Sequence, residues 1–355
     1  MSLGMAVMNK TWSLADDLED VFQRSASVWA ELRGARIFLT GGTGFIGCWL
    51  LETLRHADLA LDLDIKVSIL TRDAARFSQK APHLVEHSSF EFIEGDIIDF
   101  AFPKQDYSHV IHAATDASAH LNEFEPDRMF NVIVDGTRRA LDLAVEKKAK
   151  RFFLLSSGAI YGQQPAEMHH AVETFLGSLD CTNPRNAYAE GKRAAEMLSA
   201  IYGRKHDLNI VTARIFTLLG PYMPLDTHFA AGNFILDAMN GQGIVVKGNG
   251  RPRRSYLYAG DLAVWLWHIL VHGAKGKAYN VGSDEDISIA ELATCVSRTI
   301  GTGETTVLGA NDTGWNAGRY VPDTTLVRTE LDLHATVPLE EAIRRTALWN
   351  GWHHA

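Results

Sequence analysis

A chain of 355 residues with 46% hydrophobic and 22% charged residues has the make-up of a globular enzyme with ample core, as one large α/β unit or two smaller domains. A net charge of −9 without any basic run argues against nucleic acid and against an anionic membrane as partners. Three well-separated cysteines (Cys48, Cys181, Cys295) fit a reduced cytoplasmic protein better than a disulfide framework, and the fifteen histidines show no HExxH or Cys/His ligand spacing, so no metal site is expected.

The first element in the chain is an amphipathic helix or helix pair at residues 12–33. Ser13 followed by Asp16 supplies a start signal, and Leu18, Val21, Phe22, Val28 and Leu32 form an apolar stripe that packs on the main body or makes a dimer contact. The opening Met1–Met5 reads as a leader outside the fold.

Next, Arg36–Thr40 is an apolar strand that runs into the turn T-G-G-T-G-F-I-G, residues 40–47, and the helix Phe45–Ala57. Gly41 allows the sharp turn, Gly44 lets backbone N–H groups approach a pyrophosphate, and Gly47 lets the helix pack close to the sheet. The helix dipole then faces the phosphates. A glycine triplet alone is a weak signal; the strand before it and the helix after it supply the context of a dinucleotide site. Further strands are expected at Ile65–Thr71, Phe90–Glu94, His109–Ala113, Phe152–Ser156 and Ile210–Phe216, and helices at Pro126–Lys148 and Ala187–His206. Short apolar strands alternating with long helices imply an α/β fold, a Rossmann-type doubly wound parallel sheet.

After Gly220-Pro221, glycine-rich loops and short elements suggest a smaller C-terminal α/β region over the carboxyl ends of the sheet, where open α/β folds bind ligands. The expected division is 1–34 (helical extension), 35–217 (dinucleotide-binding domain) and 218–355 (mainly substrate binding), with about 255–272 returning to the first domain. Leu262–Val271, the most apolar stretch, is about half the length a bilayer crossing needs and reads as a buried helix; no signal peptide or membrane span is visible.

Tyr188 and Lys192 are four residues apart in A-Y-A-E-G-K and share a helix face. An ammonium near a phenol favours the phenolate, a general base. The strand Phe152–Ser157 ends in two serines, one of which can hydrogen-bond a substrate oxygen beside that tyrosine. Alone, such a Tyr/Lys pair is most often a surface pair. Together with the glycine turn and the serine-ended strand it reads as a catalytic set.

These segments resemble the extended short-chain dehydrogenases/reductases, specifically the NAD-dependent epimerase/dehydratase family acting on nucleotide sugars. T-G-G-T-G-F-I-G resembles TGxxGxxG, S-S-G-A-I-Y-G the serine strand and Y-A-E-G-K the YxxxK motif. The resemblance implies catalysis by Ser157, Tyr188 and Lys192. It implies a cofactor held by Gly41, Thr43, Gly44, Phe45, Ile46 and Gly47, by Asp96 and Ile97 of E-G-D-I-I-D, by Ala113, Ala114 and Thr115 of H-A-A-T, and by Tyr188 and Lys192. G-N-F-I, R-R-S-Y-L-Y-A-G-D and R-Y-V-P-D resemble segments that would place Asn233, Arg254 and Arg319, with Ser157, on the substrate. NAD is the implied cofactor. Arg72 at the end of the second strand would suit the 2′-phosphate of NADP, and Asp73 would restore a preference for NAD. A homodimer through Pro126–Lys148 and Ala187–His206 is also implied.

Beyond Arg72, the chain departs from the family in two places. Gly158-Ala159 stands where dehydratases and decarboxylases carry acidic residues, and Thr217 replaces the asparagine of R-I-F-N. Without those carboxyls the expected reaction is 4-epimerisation through a 4-keto sugar. The Y-A-E-G-K-R-A-A-E segment and the pocket motifs resemble decarboxylases more. The alternatives are a 4,6-dehydratase or decarboxylase using Glu167, Glu173 or His120, an NADPH-dependent 4-ketoreductase, and a cofactor-binding scaffold without turnover.

Overall fold

A computed structural model describes residues 12–115, 119–226, 229–301, 303–309 and 318–353. Seven strands form one parallel sheet: β1 (Arg36–Thr40), β2 (Lys66–Thr71), β3 (Phe90–Glu94), β4 (His109–His112), β5 (Arg151–Ser157), β6 (Ile210–Ile215) and β7 (Ala278–Val281). Their order is β3-β2-β1-β4-β5-β6-β7. Alternate residues serve opposite faces. Phe38, Val110, Phe152 and Leu154 join one core, and Ile37, Leu39, Ile111, Phe153 and Leu155 the other. Burial on both sides is why these strands read as continuous apolar runs.

The helices are α1 (Leu14–Arg24), α2 (Ala26–Leu32), α3 (Phe45–Leu61), α4 (Ala74–Lys80), α5 (Pro126–Glu146), α6 (Ala187–His206), α7 (Ala230–Met239), α8 (Ala259–His272), α9 (Ile289–Ile300) and α10 (Leu339–Trp349), with shorter helical turns between. Helices α5 and α6 cover one face and pack closely where a Cβ on Gly191 would lie 3.1 Å from Ile133 Cδ1. Helices α3 and α8 cover the other, with α1 and α2 against them. No helix among the described residues is long and apolar enough to cross a membrane.

The N-terminal helices pack on the main body. Val21, Val28, Trp29 and Leu32 are fully buried, and the Trp29 and Trp267 rings meet edge to face at 5.7 Å. Asp17, 4% exposed, accepts from Arg345 of α10, from the Tyr258 hydroxyl and from Trp12 Nε1 at 3.1 Å. A seventh strand was not anticipated: β7 has four residues between Gly276 and Gly282, too short to stand out as a pattern. Three small sheets follow β6. One sets Arg253–Ser255 between Asp286–Ser288 and Arg319–Tyr320, with Tyr320 in register with Arg254.

Removing one side of a buried ion pair strands the other charge. Arg345→Ala should therefore lower unfolding free energy by about 3–5 kcal/mol in urea titrations. A loss under about 1 kcal/mol would show that the Asp17 cluster does not tie the two chain ends together.

Candidate active site

Strand β1 pairs with β2 on one side and β4 on the other, so the chain reverses its winding at β1. The crevice at the carboxyl ends of these strands is where open α/β sheets take ligands. Gly41 sits there with φ 73°, and a Cβ on it would lie 2.6 Å from Ala113 C and Ala114 N. A Cβ on Gly47 would lie 2.3 Å from Gly41 O, so α3 packs directly on the turn. Gly44 is the N-cap of α3 and no side chain caps the helix, which leaves the leading amides, Phe45 and Ile46 among them, facing the turn. A side-chain-free cradle ending in uncapped amides fits the pyrophosphate of a dinucleotide.

Around the cradle, Ala113 N and Ala114 N donate to Thr40 Oγ1 at 3.2 and 3.1 Å. Thr40 therefore donates to His112 Nδ1 (2.9 Å), and His112 Nε2–H donates to Thr137 Oγ1 (3.1 Å). Thr43 O accepts from Lys80 Nζ at 3.4 Å. Arg72 is exposed at the end of β2. Asp73, expected at the ribose, caps α4 by accepting from Arg76 N at 2.8 Å. Asp96 holds the turn after β3 by accepting from Ile98 N at 3.2 Å, and Ile97 lies on Gly136 of α5.

Ser157 ends β5 and accepts from Ala159 N at 3.1 Å. Tyr188, in the first turn of α6, has its phenol near Ser157, which lowers its pKa. Asn122 fixes that turn: its Oδ1 accepts from Tyr188 N (2.9 Å) and its Nδ2 donates to Arg185 O (2.8 Å). One turn on, Lys192 Nζ donates to Thr115 Oγ1 (2.7 Å) and Leu155 O (2.9 Å). Ser157, Tyr188, Lys192 and Thr115 thus meet beside the glycine cradle.

The electrostatics differ from expectation in one respect. Burial pushes the Tyr188 phenol up, and Ser157 is the contact that lowers it. The Lys192 ammonium is held by Thr115 and Leu155, 6.0 Å from the Tyr188 ring centre. Burial brings Lys192 itself down to about 8, with Glu196 opposing. Behind the site, Ser156 Oγ donates to Glu196 Oε1 (2.6 Å), and Arg214 grips both Glu196 oxygens while donating to the Tyr161 hydroxyl (2.8 Å).

The late segment closes the crevice. Among the described residues Arg254 forms no ion pair; it donates to Arg253 O (2.8 Å) and Gly318 O (3.1 Å). Arg319 instead pairs with Asp286, which also holds Arg253. Asn233 is half-buried in the first turn of α7. A Cβ on Gly158 would lie 2.6 Å from Phe216 Cζ, so an aromatic ring rules out a side chain at 158. Of the alternative acids, Glu173 Oε1 accepts from Asn280 N (2.9 Å), the His120 ring packs tilted against Phe124 (4.6 Å), and Glu167 is exposed. Tyr320, within the R-Y-V-P-D motif but not singled out from it, brings its hydroxyl to 3.4 Å from Ser157 Oγ. Glu196 was legible as a carboxylate four residues after Lys192; Asn122 carried no signal.

Burial holds His112 down to about 3 and His109 to about 4. On acidification the unfolded chain takes up these protons first, below about pH 6.5, so stability falls as pH drops, by about 1.4 kcal/mol per unit for each histidine until its folded value is reached. Urea midpoints at about pH 7 and about pH 5 should converge in His112→Asn relative to the parent chain. Parallel curves would mean that His112 is protonated in the folded chain.

The profile of the NAD dependent epimerase/dehydratase family matches residues 37–282. UDP-glucuronic acid decarboxylase 6 of Arabidopsis thaliana is 31% identical over 268 residues, 75% of this chain and 74% of that protein. Two solved structures share the fold: an epimerase from Methanothermobacter thermautotrophicus (TM-score 0.77, 23% identity, 92% of this chain and 95% of that one) and a UDP-glucuronic acid 4-epimerase from Bacillus cereus in complex with NAD (TM-score 0.75, 22% identity, 88% and 98%). The family match runs from β1 through the last strand of the sheet, and the chain belongs to the NAD-dependent epimerase/dehydratase family of enzymes.

Proposed function

We propose that the protein epimerises a nucleotide-linked hexose or pentose at C4 through a 4-keto intermediate, with NAD as resident cofactor. The observation that carries this reading is the meeting of Ser157 at the end of β5 with Tyr188 and Lys192 of α6, Lys192 joined to Leu155 O and Thr115, where Phe216 fills the space over Gly158. Tyr188 takes the proton of the C4 hydroxyl and Ser157 shares that hydrogen bond. Lys192 and Thr115, already joined, hold the ribose of the cofactor. When bound, the nicotinamide supplies the hydride acceptor and, within the same turnover, the hydride donor. The glycine turn, with Thr43, Phe45 and Ile46, takes the pyrophosphate, and Asp96 and Ile97 the adenine end. Arg254, free of any carboxylate among the described residues, suits a diphosphate, and in this reading Asn233 and Arg319 take other parts of the substrate.

In this reading residues 35–217, with 255–272 and the sheet strand Ala278–Val281, form the dinucleotide unit, and the rest of 218–355 mainly forms the substrate unit. The exposed Met197 and Ile201 on α6 support a homodimer through α5 and α6. Three free cysteines support a cytoplasmic protein.

The similarity to a UDP-glucuronic acid decarboxylase favours a second reading. A uronic acid oxidised at C4 is a β-keto acid and loses carbon dioxide without a carboxyl group at 158 or 159.

The two readings separate in one NMR panel of UDP-, dTDP-, CDP- and GDP-sugars, including UDP-glucuronic acid, without added cofactor. A 4-epimer is expected; carbon dioxide release from the uronic acid establishes the second reading instead. Tyr188→Phe should cost about two to four orders of magnitude in rate, and near-normal turnover would remove Tyr188 from the chemistry. NAD should bind more tightly than NADP, with the ratio within about threefold in Arg72→Ala; a selective loss of NADP of about tenfold or more would place a 2′-phosphate on Arg72.

A further inference from the structure

A serine hydroxyl has one proton and two lone pairs. At Ser157 the amide of Ala159 takes one lone pair. One phenol reaches what is left, Tyr320 from the short strand Arg319–Tyr320, 3.4 Å away, and a second, Tyr188 of α6, is near enough for Ser157 to lower its pKa. Tyr320 is not free to swing out. Its ring packs on Phe216 at 4.7 Å, the Arg254 guanidinium lies 5.9 Å over it, and its backbone is in register with Arg254. Its other acceptor, Ile215 O, is 3.5 Å away. Burial pushes the Tyr320 phenol well above its ordinary range, so this hydroxyl keeps its single proton, which can go to Ile215 O or to Ser157 Oγ.

We propose that Tyr320 is a positioning residue for Ser157: by donating to Ser157 Oγ it fills the second lone pair, and the single serine proton must then point at Tyr188 Oη or at the C4 oxygen of a bound sugar. A serine so locked stabilises negative charge on either oxygen and cannot turn to accept from the tyrosine it serves. This deepens the C4 reading and, on the kinetic side, rests on it. The other titratable groups around the pair are Lys192 on α6, with Glu196 and the buried His112 behind it, Tyr161 in the turn after β5, and Arg254 beside Tyr320.

The test is a pH titration of tyrosinate absorbance on the full chain, with and without NAD, which needs no substrate. The transition lost in Tyr188→Phe identifies Tyr188. In Tyr320→Phe, which keeps the ring between Phe216 and Arg254, that transition should rise by about half a pH unit or more. Ser157→Ala should raise it too, and Tyr320→Phe added to Ser157→Ala should raise it no further. An unmoved transition, or an equal extra shift in the Ser157→Ala background, overturns the proposal. Once a turned-over sugar is known, Tyr320→Phe should lower kcat about tenfold with KM within about twofold, and the loss should vanish on Ser157→Ala. A change in KM alone would make Tyr320 a wall of the sugar pocket and overturn the proposal. A wild-type chain inert toward every nucleotide sugar would refute the C4 reading, and the titration would still decide the role of Tyr320.

Discussion

The buried ammonium of Lys192 holds the centre together. It stands on α6, yet its hydrogen bonds go to Thr115 just after β4 and to the Leu155 carbonyl within β5. A charge taken out of water needs such replacements, and burial still pulls Lys192 down to about 8. Glu196, one turn further along α6, opposes that pull and also holds Ser156 and Arg214. The same carboxylate therefore steadies the lysine charge and fixes the strand end from which Ser157 projects.

Around that ammonium the site combines bare backbone and packed aromatic rings. The cradle at Gly41 is bare backbone because Ala113 and Ala114 press against it, and α3 can press from the other side because position 47 has no side chain. On the sugar side the space is filled. Phe216 lies on Gly158, Tyr161 and Tyr320 flank Phe216, and Arg254 lies over Tyr320. The side-chain-free turn and the scarcity of acids for a second proton transfer thus arise from packing at two neighbouring places.

Much of this was legible in the sequence. The strand–turn–helix at 36–57 and the Tyr188/Lys192 spacing are local patterns, and local patterns set local structure. Helix α6 has the bounds its pattern suggested, while α3 runs on to Leu61 before Asp62 turns left-handed. What sequence could not convey was pairing across long separations. Tyr320 lies 163 residues from Ser157, and the partners of Asp17 lie 241 and 328 residues away. Asp73, which follows β2, also serves as the N-cap of α4, a second use of that position that spacing alone does not reveal. The pull of Lys192 on Tyr188 was overestimated because spacing reveals a shared face but not the burial that opposes ionisation.

The central claim is that Tyr188, Ser157 and Lys192 conduct a reversible hydride removal at C4 within a closed crevice. It is tested most directly with a nucleotide sugar carrying deuterium at C4, turned over in ordinary water and examined by NMR. The label should remain at C4 of the product, with no solvent hydrogen entering there. Loss of the C4 label to water would contradict the account.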